Sequence, residues 1–328
     1  SNTHGVVVQQ GGRVLAEAYY RGRDRPSGAW FEREVDFDAG TLHDLRSVSK
    51  SVVSLLVGIA LDRGLLRSAE QSVFDFFPEH ADLLDDRRRV LSLRHLLDMA
   101  TGWEWDEHTH PYSDPRNSEV LMARAPDALR YALERPFVAA PGSTWEYCGG
   151  ATTVLGAVLE RVGEQPLAAL AREWLFGPLG ISRFEWRESR GRALPTGGLR
   201  LTPRALAIVG QMTLDHGRLG PREIVPAAWI QEISTPRFAG WDGYRYGAQW
   251  WMARAPRSAS ASSSVPASLE AAAPPPLWFG GWGNGGQRLL VVPSQQLVVV
   301  VTAGRYNQPQ SARASMQLFT AIARTLRG

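Results

Sequence analysis

The sequence predicts an α/β (α+β) protein: one layer is assembled from both ends of the chain, and a mostly helical domain is inserted between them. Three observations lead there. β-rich runs near the start recur only after residue 243, the stretch between them is helical and loop-rich, and no internal repeat is present. With 328 residues, 44% hydrophobic and 21% charged, the chain has material for one large domain or two smaller ones.

Taken in order, residues 6–9 and 14–20 read as a hairpin joined through Gly11-Gly12. The run 52–60 is apolar on nearly every side and ends at Asp62-Arg63-Gly64, which predicts a helix buried all round with Ser47 at or near its N-terminus. Helical patterns follow at 91–99, 153–162, 167–175 and 203–216. Strands are predicted at 244–252, 277–281, 288–292 and 297–302, and a closing helix at 310–326. The domain expectation is therefore 1–62 with 236–328 as the α/β part and 63–235 as the helical insertion. Residues 253–276, dominated by Ala, Ser and Pro, read as a mobile surface insertion between two strands.

Composition narrows the function classes. The net charge is only +3, and the arginines are scattered among acidic residues, as in Asp85-Asp86-Arg87-Arg88-Arg89, so nucleic acid is not an expected partner. One cysteine, Cys148, excludes an internal disulfide and a cysteine-rich zinc site. No run of eighteen apolar residues is present, so no membrane span is expected. The strand pattern begins almost at once, at Val6-Val7-Val8, which is compatible with a removed leader.

Lys50 is the only lysine among 36 lysine and arginine residues. An amine can give up its proton when desolvated, whereas a guanidinium stays charged, so a single retained lysine is a candidate base. Ser47 precedes it by three residues, which puts both side chains on one helix face, near the backbone donors and positive dipole of the helix start. The plain alternative is a helix cap and a surface cation. The cluster Gly280-Gly281-Trp282-Gly283-Asn284-Gly285-Gly286 contains a formal Gly-x-Gly-x-x-Gly, but it leads into another strand instead of a helix, against dinucleotide binding. It reads as a bulged hairpin or as a close backbone approach. His108 and His110, beside Asp106 and Glu107, lack further ligands at recognisable spacing and read as a polar loop. Tyr147 follows the turn Pro141-Gly142-Ser143-Thr144 and precedes an amphipathic helix, where an interface tyrosine and a catalyst are both open readings.

In sequence order, these pieces resemble the beta-lactamase-related serine hydrolases, which include class C beta-lactamases, D-alanyl-D-alanine carboxypeptidases, carboxylesterases and 6-aminohexanoate-dimer hydrolases. Ser47-Val48-Ser49-Lys50 is similar to that family's Ser-x-x-Lys, and the segment from Leu93 to Gly102 to its LRHLLxMTSG stretch. Pro141 to Tyr147 resembles the stretch that delivers a catalytic tyrosine, and Gly283 to Gln287, with the strands after it, the edge that completes the site. The resemblance implies an antiparallel sheet flanked by helices. It implies Ser47 as nucleophile, Lys50 as base with a lowered pKa, Tyr147 as proton relay, and the backbone N–H groups of Ser47 and Asn284 as oxyanion hole. No cofactor and no metal are implied.

Two departures from the family pattern stand out. Tyr147-Cys148-Gly149 has glycine where asparagine is common, so a substrate contact and a lysine-orienting group are expected to be missing. Gly281-Trp282-Gly283 replaces Lys-Thr-Gly or His-Thr-Gly, which removes the group that faces a substrate carboxylate and argues against penicillin hydrolysis. The expectation is thus an esterase-type enzyme, monomeric and periplasmic or secreted. Its substrate is expected to be a small ester or amide with an apolar acyl part, bound against Trp282 and Gly283 with Tyr112 and Trp105 as loop contacts. The alternative is a non-catalytic module that binds peptidoglycan fragments. Cys148 is expected to be a small buried filler.

Overall fold

The computed structural model describes residues 2–253 and 277–326, so nearly all of the predicted mobile insertion lies outside the described residues. Eight strands form the main sheet: β1 (Thr3–Gln10), β2 (Arg13–Tyr19), β3 (Phe238–Ala239), β4 (Arg245–Gly247), β5 (Trp250–Ala253), β6 (Trp278–Gly283), β7 (Gln287–Val292) and β8 (Leu297–Ala303). Their order is β3-β4-β5-β6-β7-β8-β1-β2, antiparallel throughout. Both ends of the chain therefore meet at the β8–β1 pair. Gly11 and Gly12, at φ of 55° and 77°, make the two-residue turn between β1 and β2.

Alternation along the strands divides the core. In β7, Leu289 and Val291 face α1 (Val48–Asp62) and the helical region, while Leu290 and Val292 face the closing helix, with Phe319 among their neighbours. α1 is buried over thirteen of its fifteen residues, as its unbroken apolar run predicts, and it packs directly on β6. The region between β2 and β3 contributes α2 (Ser118–Arg124), α3 (Gly149–Gly163) and α4 (Pro203–Leu214), with short strand pairs between them. α3 packs on α1, and α4 on β7 and β8. α5 (Pro309–Thr325) covers the opposite face of the sheet.

The single strand expected over 244–252 is instead two strands folded back on each other. Ala248 and Gln249 both have left-handed backbone, at φ of 46° and 67°, which reverses the chain. The cost of that conformation is offset from outside the sheet. Asp98 Oδ1 accepts from the Ala248 N–H at 2.8 Å, and the Leu97 carbonyl accepts from the Gln249 N–H at 2.8 Å. The Gln249 side chain donates to the Leu96 carbonyl at 2.8 Å and accepts from Thr152 Oγ1 at 2.8 Å. Ser51 Oγ, on α1, donates to the Gln249 carbonyl at 2.9 Å. The Leu93 to Gly102 stretch thus braces the strand reversal and ties it to the helix that starts at the site.

Candidate active site

Ser47 is the N-cap of α1, and Arg46 before it is forced to a positive φ of 50°. Lys50, one turn on, is 2% exposed, and its Nζ donates to Ser47 Oγ at 3.0 Å and to the Thr196 carbonyl at 3.0 Å. Tyr147 reaches the same place from the segment before α3, with Lys50 Nζ 5.0 Å from the centre of its ring and its hydroxyl in the electrostatic neighbourhood of Ser47 and Lys50. The Glu146 N–H and Cys148 N–H hold that segment to Met99, through its carbonyl at 2.9 Å and its Sδ at 3.5 Å. A hydroxyl, an amine and a phenol therefore converge from residues 47, 50 and 147.

The charge balance corrects one expectation. Burial by itself pulls the Lys50 pKa down, as anticipated, but the negative charges of Tyr147, Glu119 and Glu107 more than offset it and hold the ammonium above the ordinary lysine range. Tyr147 is pushed up by burial, against the pull of Lys50. Glu107 is pushed well up by burial and then by the neighbouring Glu119 charge. Two of the three anions that raise Lys50 thus exist only after Tyr147 and Glu107 have lost protons they hold tightly. Lys50 and Tyr147 hold their protons jointly, so any proton acceptance here belongs to the pair and not to the amine alone.

β6 supplies the other side of the site. A Cβ on Gly281 would lie 3.0 Å from Ser51 Oγ and from Val48, and one on Gly283 would lie 2.2 Å from the Leu45 carbonyl oxygen. The glycines are there for the approach of α1. Asn284 follows in the hairpin, where Gly285 and Gly286 have φ of 88° and 98°. Its side chain donates to Asn307 Oδ1 at 2.5 Å and accepts from the Asn307 N–H at 2.7 Å, which fixes its backbone beside the cleft. Among the described residues, neither the Ser47 N–H nor the Asn284 N–H is spent on a protein acceptor.

The cleft has a volume of about 1180 Å³, and Ser47, Tyr112, Glu119, Thr196 and Asn284 lie on its wall. Beyond Ser47 the wall continues through Arg25, Trp30, Arg46, Arg305 and Asn307, so it is more polar than expected. Tyr112 is on the wall, and its hydroxyl donates to Glu107 Oε1 at 3.1 Å. Trp105 is not: it is buried, and its Nε1 donates to Glu107 Oε2 at 2.7 Å. Trp282 is not either. Period-two alternation puts Gly281 and Gly283 toward α1 and Trp282 on the opposite face, stacked on Trp251 at 4.8 Å with the Arg288 guanidinium 4.9 Å from its ring. Cys148 is fully buried and also caps α3, its Sγ accepting from the Ala151 N–H at 3.4 Å. His108 stacks on Trp241 at 4.5 Å, and His110 lies between Asp106 and Asp114.

Sequence reasoning missed Glu107 and Glu119. Glu107 accepts from the Gly149 N–H as well as from Trp105 and Tyr112, and Glu119 leans into the space above Gly149. The signal available at Glu107 was its place beside His108 and His110, which reads as a polar loop or a weak metal site; Glu119 carried no local signal.

Comparisons with known proteins bear on the whole chain. A family model described as Beta-lactamase matches residues 3–321. A 6-aminohexanoate-dimer hydrolase of Paenarthrobacter ureafaciens is 29% identical over 243 residues, 70% of this chain and 57% of that protein. Esterase EstB of Burkholderia gladioli is 31% identical over 183 residues, 54% of this chain and 45% of that protein. The chain spans about half the length of the curated relatives it matches. The crystal structure of a class C beta lactamase from Rhodobacter sphaeroides superposes with a TM-score of 0.69 at 19% identity, over 98% of this chain and 95% of that one, a likeness of fold. No helix among the described residues is long and apolar enough to cross a membrane.

Proposed function

Because the chain belongs to the beta-lactamase family, we propose that it is a serine hydrolase that forms a covalent acyl-enzyme from a small ester or amide, with esters favoured. The observation that carries this reading is the 3.0 Å contact between Lys50 Nζ and Ser47 Oγ at the start of α1, with the Tyr147 ring centred 5.0 Å from the same amine. Ser47 Oγ attacks the carbonyl carbon as its proton passes to the Lys50–Tyr147 pair. The pair returns that proton to the departing alcohol or amine, and a water then attacks the acyl-enzyme by the same route. The Ser47 and Asn284 N–H groups face the carbonyl oxygen as negative charge develops on it. Because β6 offers glycine and an averted Trp282 where lactamases carry a cation or imidazole, lactam hydrolysis is the least favoured activity.

A fluorophosphonate probe tests this reading. It is expected to add its mass to Ser47, to fail on Ser47→Ala, and to block hydrolysis of a p-nitrophenyl ester. A folded protein that takes up no probe and splits no ester would leave the non-catalytic binding module as the better account.

A further inference from the structure

The glycine at position 149 does not leave a gap. A Cβ there would lie 1.7 Å from Glu119 Oε2 and 3.2 Å from Glu107 Oε2, so the space above Gly149, two residues after Tyr147, is filled by a carboxyl group from α2. Glu119 shares the cleft wall with Ser47, and its charge acts directly on Lys50. Its Oε2 is buried and has no hydrogen-bond partner among the described residues. Glu107 provides what is lacking. It is 6% exposed, fixed by the Trp105, Tyr112 and Gly149 donors, and its Oε2 faces the same point above Gly149; burial pushes its carboxyl well up, so it keeps a proton that can be turned to the buried oxygen.

We propose that Glu119, seated over Gly149 beside Glu107, is the positioning residue of this site, orienting Lys50 and presenting a carboxyl group to the substrate from the cleft wall. The proposal rests on the serine-hydrolase reading above. The ionisable groups packed around the carboxyl pair are Lys50 from α1, Tyr147 and Cys148 from the segment before α3, Tyr112 from the loop that carries Glu107, and Tyr246 from β4. Of these only Lys50 carries positive charge, and the Glu119 charge makes proton loss harder at Lys50 and Tyr147 as well as at Glu107, Tyr112 and Cys148, so removing that carboxylate lets the Lys50–Tyr147 pair give up its proton more easily.

The test is a cycle of Glu119→Ala, Gly149→Asn and the double variant, with Glu119→Gln alongside, assayed on a p-nitrophenyl ester across pH. Glu119→Ala is expected to lose about ten-fold or more in kcat and to move the rising limb of kcat/KM toward acid. Gly149→Asn alone is expected to lose activity, because its side chain meets Glu119. In the double variant the asparagine enters the vacated space and restores at least half of the loss on a logarithmic scale. Glu119→Gln keeps the shape without the charge, so it should retain kcat better than Glu119→Ala while showing the same acid shift, and it carries the test if the alanine variant does not fold. A pH limb that stays put in Glu119→Gln, or a folded double variant no faster than Glu119→Ala, overturns the proposal. Fluorophosphonate labelling of Ser47 in the unaltered protein separates this outcome from failure of the hydrolase reading, which would abolish labelling altogether.

Discussion

Gly283 lies against the carbonyl oxygen of Leu45, two residues before Ser47, so closely that a methyl group would sit 2.2 Å from it. The contact is backbone to backbone and cannot be relieved by a side-chain rotation. Gly283→Ala is therefore expected to push β6 away from the start of α1, costing about 1–3 kcal/mol in a urea melt and lowering activity at least ten-fold. Wild-type activity in a folded Gly283→Ala protein would show that the spacing of Ser47 and Asn284 is not what the glycine protects.

Lys50→Arg tests the proton path. The substitution keeps a positive charge beside Ser47 but removes the ability to accept a proton, and the larger guanidinium must fit where the amine is 2% exposed. Ester hydrolysis is expected to fall by about 10²-fold or more, with the circular dichroism spectrum retained. Tyr147→Phe should lose a comparable factor. If the base is the pair, the double variant loses little more than either single one, which a rate comparison reads directly.

Asp98 makes stability depend on pH. Burial pushes its carboxyl up to about 6 against the pull of Ala248, Arg94 and Arg237. A carboxyl raised in the folded state binds its proton more tightly there than in the unfolded chain. Its contribution is thus most favourable at low pH and is lost as pH rises from about 4 through the folded value of about 6. Asp98→Asn keeps the acceptor for the Ala248 N–H and cannot ionise. Relative to the unaltered protein, its stability in urea melts should rise between pH 4 and pH 7, by up to about 3 kcal/mol. A constant difference across that range would argue against a buried, reluctantly ionised Asp98.

Gln249→Ala removes the side chain that joins the Leu96 carbonyl to Thr152 and leaves both buried without that partner. The expected loss is about 1–3 kcal/mol, the cost of one unsatisfied hydroxyl, because the Leu96 carbonyl keeps the Met99 N–H at 3.2 Å. Because Gln249 also meets Ser51 through its backbone, the β4–β5 reversal should survive at low temperature, and amide exchange should quicken first at Ala248 and Gln249.

The layer built from both chain ends was legible because strand and helix periodicities segregate so cleanly along the sequence. The Ser47–Lys50 contact was legible from spacing, and Tyr147 from its motif. Three things were not. The reversal at Ala248-Gln249 depends on acceptors 150 residues away, which no local pattern announces. Trp282 was placed on the wrong side because strand register, and hence the face each residue takes, was set by the glycines that admit α1. The direction of the Lys50 shift depended on Glu107 and Glu119, brought in by a loop and a short helix whose position over Gly149 is purely tertiary.

The single lysine has a practical corollary. Since its amine is sealed beneath the cleft, the exterior of the described protein presents guanidinium groups but no ε-amine. Succinimidyl dyes, aldehyde cross-linkers and amine-coupled sensor surfaces therefore find no side-chain point of attachment on the exterior of the described residues.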